Sequence, residues 1–139
     1  MKTLGVYLTF DGQTEAALDF YNTVFGGSYL TKQTFGESPM DCKEEMKDQI
    51  MHAEIKAEGI HLMASDNMNG NPILEGGHVT LNVNFEEETE QAKVFEALSK
   101  GGKVIMPLND TFWGAKFGML HDKFGVKWML HLQKEKTQP

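Results

Sequence analysis

Gly5-Val6-Tyr7-Leu8-Thr9-Phe10 and His78-Val79-Thr80-Leu81-Asn82-Val83-Asn84-Phe85 are the two stretches on which the fold turns. Both alternate apolar and polar residues with period two, the spacing of a strand with one buried face. Val6, Leu8 and Phe10 share a face of the first, and Leu81, Val83 and Phe85 share a face of the second, 75 residues further on. The same shift carries Ala17 onto Ala92, Phe20 onto Phe95, and Gly26-Gly27 onto Gly101-Gly102. A strand, a helix and a glycine stop that recur in one order without a gap point to a duplicated unit.

The elements around these strands follow from spacing. After the Asp11-Gly12 turn, Ala17, Leu18, Tyr21, Val24 and Phe25 predict a helix over 14–25. Gly26-Gly27 stops it, because glycine tolerates the left-handed cap. Strands are expected at 28–35, 50–57 and 60–66, the last two joined at Glu58-Gly59. Residues 36–48 are polar, contain Pro39, and read as a loop with a helical turn. Residues 67–77 are rich in turn formers and connect two halves. The second half then runs through a strand at 78–85, a helix at 87–100 and strands at 103–108, 116–121 and 127–132. The acidic first turn of that helix and Lys100 at its end suit the helix dipole, and the tail from Lys134 is polar.

The expected fold is therefore α+β: a single domain of two βαβββ modules, about 1–66 and 78–133, with a cleft between curved mixed sheets. One such module covers one sheet face with its helix and leaves the other bare, and two modules can share the bare side. Tyr7 and Thr9 in one first strand, and His78, Thr80, Asn82 and Asn84 in the other, give that side a polar, uncharged character suited to a partly wet cleft.

Composition narrows the function classes. A chain of 139 residues has the size of one domain. Its formal charge of −7 argues against nonspecific nucleic-acid binding, which needs a basic stripe. No stretch approaches the roughly 20 apolar residues that cross a bilayer, so no membrane partner is expected. The first residues lack the apolar core of a secretion signal, which places the protein in the cytoplasm. Cys42 is the single cysteine, and its neighbours Asp41, Glu44 and Glu45 disfavour a thiolate.

Several segments resemble a known family. They are Leu8-Thr9-Phe10-Asp11-Gly12, Ala17-Leu18-Asp19-Phe20-Tyr21, Phe25-Gly26-Gly27, Met51-His52-Ala53-Glu54, Leu62-Met63-Ala64-Ser65-Asp66 and Gly77-His78-Val79. Met106-Pro107-Leu108, Phe112-Trp113-Gly114 and Asp122-Lys123-Phe124-Gly125-Val126-Lys127-Trp128 add the most specific part. In order and spacing they resemble the PhnB-like branch of the glyoxalase, bleomycin-resistance or vicinal oxygen chelate superfamily. The resemblance implies paired βαβββ modules and a homodimer. In metal-dependent members it also implies a divalent cation, held by the first and last strands of each module, that acts as a Lewis acid on two substrate oxygens.

Carried over residue by residue, the resemblance places His78 at the ligand that opens the second module. Met63 and Met129 fall at the carboxylate positions of the two last strands, and the remaining ligand position falls near Gly5, with Tyr7 the nearest polar side chain. Thioethers bind Zn²⁺, Ni²⁺ or Mn²⁺ poorly, so neither a metal nor another cofactor is expected. A local shift of alignment would instead bring His52, Glu54 or His131 into a metal site.

The reading that follows is a PhnB-like protein binding a small molecule in a metal-free cleft lined by Tyr7, Met63, His78, Phe112, Trp113 and Met129. The alternative is a divalent-metal-dependent vicinal oxygen chelate enzyme: a lyase, dioxygenase or thiol transferase. The sequence leaves open whether the chain is an enzyme. His52 and Glu54 share a strand face, as a base oriented by a carboxylate or as an exposed polar surface. Phe112-Trp113 on a loop forms a plug or a lid. Proteins of this branch are often labelled ubiquinone methyltransferases, but the Gly-Gly pairs here end helices instead of opening them around a nucleotide.

Overall fold

The computed structural model describes residues 4–39, 41–67, 73, 78–112 and 114–134. They belong to two compact units, Met1–Leu74 and Glu75–Pro139. The first comprises β1 (Val6–Phe10), α1 (Thr14–Phe25), β2 (Ser28–Thr34), a 3₁₀ turn at Glu44–Met46, β3 (Ile50–Ala57) and β4 (Ile60–Asp66). The second comprises β5 (Leu81–Phe85), α2 (Glu88–Ser99), β6 (Lys103–Asp110), β7 (Ala115–His121) and β8 (Lys127–Gln133). The sheet orders are β1-β4-β3-β2 and β5-β8-β7-β6. In each sheet the first strand lies parallel to the last, and the other pairs are antiparallel. Both units are thus βαβββ modules of one topology. Among the described residues, no helix is long and apolar enough to cross a membrane.

In the first module, Phe10, Ala53, Ile55, Leu62 and Ala64 are buried on one sheet face, and Ala17, Leu18 and Tyr21 are the buried side of α1. Asp66, at the end of β4, ties this core together. Its Oδ1 accepts hydrogen bonds from the backbone N–H (3.1 Å) and Oγ1 (2.7 Å) of Thr14, the first residue of α1. Its Oδ2 accepts the N–H of Ile50 at 2.9 Å. A carboxylate at this position also complements the positive end of the helix dipole. Gly26 adopts the left-handed conformation at the C-terminal cap of α1.

The ungapped shift of 75 holds for β1 and β5 and for the glycine stops, but not for the helix faces. Ala92 is exposed, and α2 buries Gln91, Val94, Phe95 and Leu98. Thr14, Ala17, Leu18 and Tyr21 are their counterparts in the buried pattern of α1. The connection from strand to helix is Asp11-Gly12-Gln13 in one module and only Glu86-Glu87 in the other. The shorter connection rotates α2 about its axis, so neither Ala17 with Ala92 nor Phe20 with Phe95 is an equivalent pair.

A second correction concerns the fifth strand, which begins at Leu81 and not at residue 78. Leu81 pairs with Trp128, the second residue of β8, so residues 78 and 79 have no strand beside them to pair with. Alternation proposes a strand, but its partner sets the length.

Candidate functional site

Residues alternate across a strand, so those opposite the helix-covered core share one partly open face of each sheet. On the first module this face carries Tyr7 from β1, His61 and Met63 from β4, and His52 and Glu54 from β3. Register brings them together: Tyr7 stands opposite Met63, and Met63 opposite Glu54. Tyr7 is 49% exposed. Its hydroxyl lies 3.0 Å from Nδ1 of His52. Nε2 of His52 lies 3.7 Å from one oxygen of Glu54, and the other oxygen of Glu54 lies 2.5 Å from Nε2 of His61. Four polar side chains from three strands thus form one chain, with the thioether of Met63 beside it.

Nε2 of His61 lies within hydrogen-bond reach of Glu54, and a proton on the Nε2 of His52 that faces the same carboxylate would leave Nδ1 to accept from the Tyr7 hydroxyl. With its proton turned toward His52 in that form, the Tyr7 oxygen can accept a hydrogen bond from a bound molecule.

The equivalent face of the second module is different. Asn82 stands opposite Met129, and Met129 opposite Met119. Asn82 donates to Asn84 at 3.2 Å. The ring of Phe117 meets that of His131 edge-on, with centroids 6.5 Å apart. Polar hydrogen bonding and soft, adaptable thioether surface replace the ionisable chain of the first module.

Of the side chains singled out from sequence, Tyr7 and Met63 lie together and Met129 lies on the matching face of the other module. His78 is exposed and precedes β5. Phe112 is 98% exposed in the turn between β6 and β7. Trp113 lies outside the described residues. His61 escaped the sequence reading. The signal was the tight Glu58-Gly59 turn, which fixes the hairpin register Lys56–His61 and Glu54–Met63 and so sets His61 diagonally beside Glu54.

The four positions at which the resemblance expects metal ligands hold Gly5 and Met63 in the first module and His78 and Met129 in the second. A Cβ placed on Gly5 would stand 3.1 Å from Cε of Met63, the far end of a flexible side chain. One imidazole, two thioethers and a glycine do not make a donor set for a hard or borderline divalent ion. Among the described residues, no group of three or more His, Cys, Asp or Glu is placed to hold a metal.

Comparison with known proteins bears on this geometry. The chain matches the family model described as 3-demethylubiquinone-9 3-methyltransferase over residues 2–131. It is similar to protein PA1353 from Pseudomonas aeruginosa, with 36% identity and a TM-score of 0.87 over 97% of this chain and 100% of that one. It is also similar to the PhnB protein of Bacillus cereus, with 28% identity and a TM-score of 0.80 over 94% and 99% of the two chains. A glyoxylase/bleomycin resistance protein/dioxygenase domain from Frankia sp. shares the fold at 15% identity, with a TM-score of 0.72 over 99% and 95% of the chains. The duplicated βαβββ fold and the match across nearly the whole sequence agree: the chain belongs to the PhnB-like 3-demethylubiquinone-9 3-methyltransferase family.

Proposed function

We propose that the chain binds a small organic molecule on the open sheet face of the first module without a metal, using Tyr7 as the polar contact and Met63 as an adaptable wall. The observation that carries this reading is the linked set Tyr7, His52, Glu54 and His61 beside Met63. Hydrogen-bonded polar groups next to soft apolar surface are the usual makeup of a small-molecule site. Methyl transfer is not part of the proposal: each sheet has one parallel strand pair, unlike the doubly wound sheet whose switch point receives a nucleotide cofactor.

The test is ligand-dependent thermal stabilisation across a panel of metabolites and antibiotics, with the wild type beside Tyr7→Phe and Met63→Ala. A binder of the native state raises its melting temperature by mass action. A compound that stabilises the wild type and loses its effect in both variants supports the reading. A panel that moves no compound, or shifts that survive both substitutions, overturns it. The homodimer and the cytoplasmic setting accompany this proposal. Light scattering that finds a monomer at micromolar concentration removes the dimer.

A further inference from the structure

The two modules differ at one corner in a way their shared topology does not require. In the first, the cross-strand row is Ser28–Lys56–His61 on β2, β3 and β4, and Glu54 pairs with His61. In the second, the row is Lys103–His121–Lys127 on β6, β7 and β8. The place of Glu54 is taken by Met119, which stands opposite Met129 as Glu54 stands opposite Met63. Neighbouring strands lie about 4.7–4.9 Å apart, so the two lysines that flank His121 stand roughly 10 Å from each other and repel across it.

The imbalance extends beyond the row. Segments 99–103 and 121–127 hold four of the 13 basic residues of a chain whose formal charge is −7. Their single acid, Asp122, is buried and turned inward. Its Oδ1 accepts the N–H groups of Phe124 (2.8 Å) and Val126 (3.1 Å), and its Oδ2 accepts Nε1–H of Trp128 (2.9 Å). Among the described residues, Lys100, Lys103 and Lys127 take part in no ion pair. A hollow of about 420 Å³ opens beside this row, lined by residues 101–103 and 121–125, Asp122 included; Lys127 stands outside the lining, opposite His121.

We propose that this corner is an anion site for a phosphoryl group. Lysines recognise phosphoryl oxygens as point charges, and a doubly charged tetrahedral group relieves the repulsion along the row better than a single carboxylate does. The hollow exceeds a bare phosphate, so an organic remainder would lie against Phe124. The carbonyls at the end of α2 offer these lysines another role, complementing the helix dipole. The glycine stop of α1 makes the same close approach, with its Gly27 meeting Lys56 as Gly102 meets His121, and does so with Ser28 in the place of Lys103.

Amide chemical-shift titrations with inorganic phosphate and with glycerol 2-phosphate, against chloride at matched ionic strength, test the site. Saturable shifts at Gly102, Lys103, His121 and Lys123 are expected with the phosphates only, and about tenfold weaker binding in K103Q/K127Q. Tighter binding of the organic ester identifies a phosphorylated metabolite, and equal binding identifies free phosphate. Thermal melts give an independent readout. Without phosphate, K103Q/K127Q melts at or above the wild-type temperature, because a repulsion has gone, and phosphate stabilises only the wild type. Chloride-like or unsaturable shifts overturn the proposal. So does a variant that melts lower while keeping its phosphate response, which assigns the lysines to the helix end.

Discussion

The Tyr7 hydroxyl and Nδ1 of His52 lie 3.0 Å apart although β4 separates their two strands. The phenol reaches across Met63, its register partner, to a histidine of β3. That bond makes the Tyr7 oxygen the exposed end of a chain whose other members are His52, Glu54 and His61.

Replacing Tyr7 by Phe removes this bond from a half-exposed surface, so the stability loss is expected to stay within about 1 kcal/mol. The tautomer of His52 is the sharper readout. Nitrogen NMR is expected to show the Nε2–H form in the wild type, with a shift at Nδ1 in Y7F and little change at His61. An Nδ1–H tautomer in the wild type would reverse the direction of the chain.

Asp66→Ala is expected to cost far more than any change on the open face. Asp66 is 4% exposed and accepts three hydrogen bonds from Thr14 and Ile50. Removing it strands two backbone donors and a hydroxyl in the interior, at about 1–3 kcal/mol for each group left unsatisfied. Thr14→Ala removes one hydroxyl bond and is expected to cost about 1 kcal/mol. Denaturant melts of the two variants check the order, and equal costs would mean that Asp66 acts only through Thr14.

Much of the fold was legible because local rules and tertiary packing agree in it. The alternation around Leu8 and Val83, the periodicity of Leu18 and Tyr21, and the glycine stops each describe an element the structure contains. What failed was what depends on a partner. Residues 78 and 79 alternate but have no strand beside them, and a connection one residue shorter rotates α2, so that Gln91 and not Ala92 is buried. The candidate site was half legible. His52 and Glu54 are two apart in one strand, which sequence shows directly. His61 joins them through hairpin register, a long-range fact that only the position of the Glu58-Gly59 turn encodes.

Acid should release the connection between the modules from the turn after β1. Asp11 accepts the backbone N–H of Ile73 at 2.9 Å and the amide of Asn67 at 3.0 Å. These bonds, the backbone one first, hold its carboxyl below the ordinary value of 3.8. A lowered folded-state pKa means the contribution is complete above the unfolded value and is lost as pH falls through the folded one. Hydrogen exchange at the Ile73 amide is expected to keep its protection at neutral pH and lose it below about pH 3.8, and Asp11→Asn is expected to lose that pH dependence. Protection that is constant down to pH 2 would show that the carboxylate does not hold Ile73.

The glycine pair after α2 separates backbone conformation from close packing. Gly26, its counterpart in conformation after α1, has φ of 71° and nothing within 4 Å of an added Cβ, so Gly26→Ala is expected to cost about 1–2 kcal/mol of left-handed strain alone. A Cβ on Gly102 would stand 2.2 Å from the carbonyl oxygen of His121 and 2.9 Å from the carbonyl carbon of Asp122. Those are backbone atoms in a turn fixed by the three hydrogen bonds of Asp122, so they cannot swing aside as a side chain would. Gly102→Ala is therefore expected to destabilise more than Gly26→Ala, by about 2 kcal/mol or more beyond it. It should also disturb the Trp128 indole N–H resonance, which reports the Asp122 turn. Equal costs at the two positions would mean that the β7–β8 turn yields, and that the corner holding His121 and Lys123 is softer than its hydrogen bonds imply.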